Sequence, residues 1–365
     1  MSDIPSELVE EILSRAPPIS WNRLRFTCKL WNSLSKPIFT EKHFHKAPKH
    51  PLVLMLKDYR ICSMRIDFDA APPSIEFKGS LGLTDSHSNA EQDRVYEVIH
   101  CDGLLLCITK NKIVVWNPWL GQTRWIKSRG GYKGCFGIGY ENNKSCRSYK
   151  ILRFGPSRGN HNLLGFNICE LRSNSWRVLD DVSLDSNTQP RQEGIVSLKG
   201  NSYWLGEETG YIVLLCFDYT TERLKRPHLP LFPKSDHAAL SAVRDEKLSV
   251  LHWDFSILPT QMTVWVTDRI DAEAALSWSK AFKVDLDHTL RNSFPIIKKF
   301  LYDEEKKMAL CCDLSYATNK KKLYVVREDD EHYSEIPYVE YTSETLWPYI
   351  LHYVLSLVNL CRHIF

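Results

Sequence analysis

The spacing of apolar residues divides the chain into a short helical segment and a long segment of strands. Between Asp3 and Ala16, apolar residues recur at steps of three and four, as on one face of a helix: Ile4, Leu8, Val9, Ile12 and Leu13. Pro5 suits a first helical turn, and Pro17-Pro18 ends the helix. The pattern therefore predicts one amphipathic helix at the start of the chain.

A second and a third helix are predicted before residue 48. Ser20 can cap the second helix, whose apolar stripe contains Leu24, Cys28 and Trp31, and Pro37 ends it. The third helix is expected over 39–44. A helical unit of about 45 residues cannot bury a sufficient core alone, so its apolar surface must be covered by the rest of the chain or by a partner.

From Leu52 onward, short alternating runs rich in Val, Ile, Tyr and Trp are bounded by Gly, Asn, Asp and Ser, which is typical of strands and hairpins. Similar strands recur at steps of about 50 residues, the length of a four-stranded propeller blade. They begin near Val114, Phe166, Leu215, Val264 and Leu323, after an early set from Leu52 to Phe77. We therefore expect a six-bladed, kelch-like β-propeller in an α+β multidomain chain, with a β-sandwich or an open sheet array as the alternative.

Composition limits the kinds of partner and the cellular compartment that we expect. A net charge of +3 is too small to favour nucleic acid as a binding partner. Eleven cysteines without a C-x-x-C pair, behind an acidic start with no secretory signal, indicate a reducing compartment, so we expect the cytoplasm, the nucleus or both. The late apolar run from Tyr349 to Leu360 contains His352 and is shorter than the ~20 residues that cross a bilayer. We expect it to be a core segment and expect no membrane partner.

Two motifs in the helical unit resemble an F-box. Ile-Pro-Ser-Glu-Leu-Val-Glu-Glu-Ile-Leu at 4–13 is similar to the family's L-P-x-E-L-x-x-x-I-L opening, and the Cys-Lys-Leu-Trp segment within 23–32 is similar to its close. Ile4 and Thr27 depart from the usual leucine and valine, and the Thr27 hydroxyl is expected to weaken an apolar contact. Without the motifs, an ordinary helix pair packed on the body of the protein explains the periodicity equally well.

The resemblance implies a division into an F-box at 1–47 and a β domain at 48–365. It also implies that the F-box binds a Skp-type adaptor, which joins cullin and RING subunits. By that resemblance the adaptor contacts are assigned to Ile4, Pro5, Leu8, Val9, Ile12, Leu13, Leu24, Cys28 and Trp31. Segments within 39–48 and 95–338 further resemble plant F-box proteins with an associated, kelch-related interaction domain, although the double-glycine and Tyr–Trp signatures of true kelch repeats are absent.

Other candidate sites have simpler interpretations. His43 and His45 lack further ligands at zinc spacing, and the glycines within 130–139 lack the P-loop pattern and suit turns and close strand packing. His100 and Cys101 suggest a base beside a nucleophile, but adjacent residues on a strand point to opposite faces. Lys320–Lys322 suits a solvated hairpin tip rather than a nuclear-import signal. We predict no catalytic residue, metal or cofactor.

Three functions remain open at this point. The first is a receptor that holds a target protein on the β domain while the F-box holds a ubiquitin ligase. The second is a propeller-fold enzyme, which would need convergent carboxylates or a metal set at the central channel. The third is an F-box scaffold that acts outside ubiquitination. The sequence does not identify the target or the residues that bind it, because loop surfaces determine them.

Overall fold

The computed structural model shows one helix and 26 strands in the residues that it describes. The described residues are 6–15, 52–68, 70, 73–83, 94–110, 112–126, 134–141, 147–156, 164–185, 187–191, 194–254, 260–268, 270, 276–286, 297–315, 320–328, 334–341, 349–356, 358 and 360. Helix α1 spans Ser6–Ser14, as the apolar period predicts. The second and third predicted helices, His43, His45, Gly130 and Gly131 lie outside the described residues.

The strands form six antiparallel sheets, which are the blades of a propeller. Blade 1 contains β1 (Leu52–Lys57), β2 (Arg60–Asp67) and β3 (Ser74–Ser80). Blade 2 contains β4 (Val95–Cys101), β5 (Leu104–Thr109), β6 (Ile113–Asn117) and β7 (Gln122–Ile126). Blade 3 contains β8 (Cys135–Glu141), β9 (Ser148–Pro156), β10 (Leu164–Glu170) and β11 (Ser175–Val178).

Blade 4 is a six-stranded sheet because short strands replace both its inner and its outer strand. Its strands are β12 (Thr188–Pro190), β13 (Val196–Leu198), β14 (Asn201–Glu208), β15 (Tyr211–Asp218), β16 (Arg223–Lys225) and β17 (Phe232–Pro233). Blade 5 contains β18 (His237–Val243), β19 (Lys247–Asp254), β20 (Thr260–Thr267) and β21 (Trp278–Leu286). Blade 6 contains β22 (Ile297–Asp303), β23 (Met308–Ser315), β24 (Lys320–Arg327) and β25 (Ser334–Tyr341).

The last strand closes the ring. Strand β26 (Tyr349–Tyr353) pairs with β1, with Ile350 opposite Met55, so blade 1 combines strands that are almost 300 residues apart in the sequence. The innermost strands β26, β4, β8, β13, β18 and β22 contact one another around the centre. The expected six-bladed propeller is therefore confirmed. The five recurring strands identified from the sequence are β6, β10, β15, β20 and β24, each the third strand of its blade.

Antiparallel pairing gives the propeller two different ends. At one end, which we call the turn end, lie the turns between the first and second strands and between the third and fourth strands of each blade. At the opposite end, the loop end, lie the second-to-third strand turns, and the chain also passes there from one blade to the next. The surface of each end is therefore built by different connections of the same blades.

The chain after β26 packs across blade 2 at the turn end. Asn117 Nδ2 donates to the Ser356 and Val358 carbonyls at 3.1 and 2.8 Å, and Leu360 N donates to Gln122 Oε1 at 2.9 Å. A Cβ on Gly103 would lie 2.2 Å from Ser356 Cβ, and φ at Gly103 is +75°, so only glycine fits there. The predicted core segment after Tyr349 is thus a closing strand followed by this packed tail.

Glycines on β8 allow blade 3 to approach blade 4. A Cβ on Gly139 would lie 2.3 Å from both the Gly200 carbonyl oxygen and the Tyr219 ring, and a Cβ on Gly137 would lie 2.6 Å from Ser202 Oγ. The close-packing role predicted for this segment is confirmed at these two positions. The prediction for Lys320–Lys322 is wrong, because these residues pair with Ser315, Leu314 and Asp313 as the first positions of β24. Strands β23 and β24 pair as far as Ser315 and Lys320, so the three lysines belong to a strand.

Candidate interaction surfaces

Helix α1 presents two adjacent apolar side chains to solvent. Leu8 and Ile12, one turn apart, are 54% and 63% exposed, whereas Leu13 is 5% exposed and Val9 is half-buried. Large apolar side chains at positions i and i+4 form one ridge along a helix. We call this pair the Leu8–Ile12 ridge; it is suited to insertion into an apolar groove.

Polar side chains flank the ridge on the same exposed face of α1 and make local contacts. Arg15 Nη2 lies 3.0 Å from Glu11 Oε1, an exposed pair one turn apart, and Ser14 Oγ donates to the Glu11 carbonyl at 2.8 Å. Of the nine adaptor contacts assigned from the sequence, Leu8, Val9, Ile12 and Leu13 are described. Ile4, Pro5, Leu24, Cys28 and Trp31 lie outside the described residues. All nine contacts stay predictions.

The turn end of the propeller contains a buried ion pair between blades 2 and 3. Arg147 Nη1 donates to Asp102 Oδ2 at 2.7 Å, and Tyr149 donates its hydroxyl to the same oxygen at 3.2 Å. Burial raises the pKa of the Asp102 carboxyl, and the Arg147 charge opposes this shift. Asp102 has φ of +53° and precedes Gly103 in a tight turn. These groups join neighbouring blades at the ends of the innermost strands β4 and β8.

His100 and Cys101 lie beside this pair, but their arrangement does not activate the thiol. His100 Nε2 accepts a hydrogen bond from Gly103 N at 2.9 Å, while its Nδ1 lies 3.6 Å from Asp245 Oδ1. Burial raises the pKa of the Cys101 thiol well above its usual range. A buried, protonated thiol is a poor nucleophile. This chemistry favours packing over catalysis at Cys101.

A second set of charges joins blades 3 and 4. The buried Lys150 ammonium contacts carboxylates of Glu141 and Glu222, and the Glu222 oxygen lies 2.6 Å from Nζ. Arg177 also contacts Glu222 from the outer strand β11. Despite burial, which lowers it, the pKa of Lys150 is raised by its hydrogen bonds with the two carboxylates. The set therefore keeps Lys150 charged and holds the two blades together.

The loop end carries exposed side chains of kinds that bind other proteins. On blade 4, Tyr211 and Leu231 are 47% and 81% exposed. On blade 1, three cationic side chains, Lys57, Arg60 and Lys78, line an open cleft. Exposed aromatic and arginine side chains are common among the residues that dominate protein interfaces. Sequence reasoning identified none of these residues, because the blades bring together positions that have no common motif.

The described part of the chain contains no cluster of three or more His, Cys, Asp or Glu side chains arranged to hold a metal ion. Its eight cysteines are all buried and unbonded to one another. Within the same residues, no helix has both the length and the apolar character needed to cross a bilayer.

Known families match both parts of the chain. Residues 1–38 match the F-box domain, and residues 52–360 match the F-box associated beta propeller domain. The predicted boundary after residue 47 lies between these two matches and stays a prediction.

Relatives match over nearly the whole chain. An Arabidopsis thaliana F-box protein is 49% identical over 370 residues, covering 99% of this chain and 96% of its own length. An F-box/kelch-repeat protein of the same plant is 46% identical, covering 99% of this chain and 97% of its own length. Among solved structures, a nidogen/laminin complex gives a TM-score of 0.46 at 10% identity, covering 84% of this chain and all of that one. The family matches and the relatives show that the chain belongs to the plant F-box proteins with an F-box associated β-propeller domain.

Proposed function

We propose that this protein is the substrate-recognition subunit of a Skp–cullin–F-box ubiquitin ligase. The observation that carries the proposal is the presence, in one chain, of an F-box at 1–38 and a β-propeller at 52–360. The exposed Leu8–Ile12 ridge supports it, since a helix that leaves two large apolar side chains in water is suited to a partner's groove.

In this proposal the two parts bind different partners. The F-box binds the Skp-type adaptor, which carries the cullin and RING subunits, and the propeller binds a target protein. The chain is a non-catalytic receptor, because holding the target near the ubiquitin-carrying enzyme supplies proximity while the chemistry occurs on other subunits. The ligase acts in the cytoplasm, the nucleus or both. The propeller is kelch-related, as the name of one relative suggests.

Substitution of the ridge tests the adaptor contact. Leu8→Asp and Ile12→Asp should each weaken copurification with a Skp-type adaptor by about a hundredfold or more, since an unpaired carboxylate at an apolar interface costs several kcal/mol. Both positions are exposed in the chain itself, so thermal unfolding should change little. Glu11→Asp introduces aspartate into the same helix without changing the charge, and it should retain adaptor binding.

Leu13→Asp provides the contrasting case. Leu13 is already buried by this chain, so the substitution should lower the stability of the F-box itself as well as adaptor binding. Unchanged adaptor binding by folded Leu8→Asp and Ile12→Asp variants would refute the assigned surface. Adaptor binding without copurifying cullin would instead indicate a scaffold outside ubiquitination.

A further inference from the structure

The loop end of blade 1 contains an open cleft of about 500 Å³ with an excess of positive charge. Its lining comes from the β1–β2 hairpin and from the end of β3: Lys57, Asp58, Arg60, Cys62, Phe77, Lys78, Gly79 and Ser80. Three of these side chains are cationic, whereas Asp58 alone among the lining residues is anionic. The volume lies within the range of clefts that bind small groups.

The hairpin places two of the cations side by side. Lys57 and Arg60 are directly opposite each other across the Asp58-Tyr59 turn, in which both residues have positive φ. Side chains of directly opposed residues project from the same face of a hairpin, and like charges in this position repel each other. An anion on this face of the hairpin can therefore contact both cations at once.

The third cation comes from β3, and an aromatic ring completes the cleft. A register shift between Ser63 and Met64 brings Phe77 opposite Met64, and Gly79 opposite Ser63. Lys57 Nζ lies 4.6 Å from the centre of the Phe77 ring. The cleft therefore combines positive charge with an apolar surface on one wall.

The cations differ in their existing contacts. Lys78 Nζ lies 2.6 Å from Glu76 Oε1, in a pair whose side chains are 49% and 64% exposed, so water screens their attraction. Arg60 is exposed, and no hydrogen bond or ion pair joins its guanidinium to another of the described residues. A guanidinium can donate two parallel hydrogen bonds to a carboxylate or a phosphate. Arg60 is therefore placed to contact an anionic ligand directly.

We propose that this cleft binds an anionic segment of the target protein, in which a carboxylate or phosphorylated side chain contacts Arg60, Lys57 and Lys78 while a neighbouring apolar group packs on Phe77. The proposal rests on the receptor function proposed above and specifies the chemistry of the target. A peptide is favoured over nucleic acid because the net charge of the chain is only +3 and the cations occupy one small cleft, not a continuous track along a backbone.

Binding of labelled peptides to the full-length chain tests the proposal, and copurification of the adaptor and cullin is measured separately. Three peptides of one sequence carry serine, glutamate or phosphoserine at the same two positions beside a leucine, and fluorescence anisotropy measures their dissociation constants at low and raised salt. The wild-type chain should bind the glutamate or the phosphoserine peptide at least about tenfold more tightly than the serine peptide. Preference for phosphoserine over glutamate identifies a phosphorylated target, whereas equal binding identifies an acidic one.

Two variants that lose the same number of positive charges, one in the cleft and one elsewhere, show where the peptide binds. The combined variant Lys57→Gln, Arg60→Gln and Lys78→Gln should abolish the preference for the anionic peptide. A control variant makes the same change of net charge on other blades, at exposed cations, and should retain the preference: Arg223→Gln, Lys283→Gln and Lys307→Gln. Phe77→Ala removes the apolar wall and the ring beneath the Lys57 ammonium, so it should weaken all three peptides; its melting temperature is compared with that of the wild type, because Phe77 also packs against the core shared by blades 1 and 6.

Specific outcomes overturn the proposal. Equal binding of the anionic peptide by the wild-type chain and the cleft variant overturns it, as does equal binding of the three peptides by the wild-type chain. The wild-type chain could bind a single-stranded oligonucleotide and no peptide, and the cleft variant could lose that binding. This result would overturn the proposal that the ligand is a peptide. Failure of the receptor function is distinguishable, because it appears as lost adaptor or cullin copurification while the peptide preference is retained.

Discussion

The turn at Asn117 provides a direct test of how the tail stabilises the propeller. The Asn117 side chain is fully buried, and besides its bonds to the Ser356 and Val358 carbonyls, its Oδ1 accepts from Trp119 N at 3.0 Å and from Leu120 N at 3.2 Å. At a net value of about 1 kcal/mol for each of four hydrogen bonds, Asn117→Ala should lower the free energy of unfolding by about 4 kcal/mol.

Asp218 on blade 4 provides the matched control. Its Oδ1 accepts from Thr220 N and Thr221 N at 2.8 and 3.1 Å, as Asn117 does in its own turn, but its other oxygen contacts the half-exposed Lys225 and not the tail. Asp218→Ala should therefore cost only about 2 kcal/mol, since an ion pair with a half-exposed lysine adds little. The difference between the two variants measures the tail contacts of Asn117.

Urea unfolding followed by tryptophan fluorescence would measure the free energy of unfolding of both variants, first in the full chain and then in a chain that ends at Leu355. In the shortened chain, Asn117 has lost its two tail acceptors, so Asn117→Ala should cost about 2 kcal/mol, half of its cost in the full chain. The cost of Asp218→Ala should be the same in both chains. An equal cost of Asn117→Ala in the full and shortened chains would refute the role assigned to the tail.

Three further predictions follow from individual contacts. Gly139→Ala should lower the free energy of unfolding by about 1–3 kcal/mol through overpacking, whereas Gly82→Ala, whose added Cβ meets nothing within 4 Å, should change it by less than about 1 kcal/mol; urea unfolding compares them. Lys150→Met should cost about 2 kcal/mol because it removes the buried cation that the partly buried Glu141 and Glu222 carboxylates share, whereas Lys307→Met at an exposed pair should cost less than about 1 kcal/mol. Burial lowers the pKa of His352, so the unfolded chain binds more protons, and stability should fall as the pH drops below about 6.5. Melting temperatures at pH 7.5 and 5.5 should differ less in His352→Gln than in the wild type, and an equal difference would contradict the prediction.

The blade count could be predicted from the sequence largely because the third strand of blades 2 to 6 has a local signature. A buried apolar strand that runs into a polar turn, as at Asn117 or Asp218, marks the strand and its hairpin without any long-range information. The closing strand could not be recognised in the same way. Residues 349–353 have the pattern of any half-buried strand, and their partner β1 lies almost 300 residues earlier. Pairing over that separation depends on the completed ring and not on the local sequence.

The interaction surfaces show the same limit. Leu8, Ile12 and Leu13 belong to one apolar stripe in the sequence, but only the folded chain shows that Leu13 is buried and that the other two are exposed. The cationic cleft was not predicted because Lys57 and Lys78 are 21 residues apart and share no motif. Their proximity depends on the β1–β2 hairpin and on the register of β3, which includes a shift at Ser63.

The two ends of the propeller are suited to different tasks for an energetic reason. At the turn end, the Asp102–Arg147 pair is buried and the tail covers blade 2, so a change of one partner leaves a buried charge or polar group unsatisfied. At the loop end, Arg60, Leu231 and Tyr211 are exposed and can be replaced at little cost to folding. A receptor that must acquire new targets can therefore change its loop end while the turn end preserves the ring. If this reasoning is right, Arg60→Glu should leave the melting temperature nearly unchanged, whereas Arg147→Glu should lower it by several degrees.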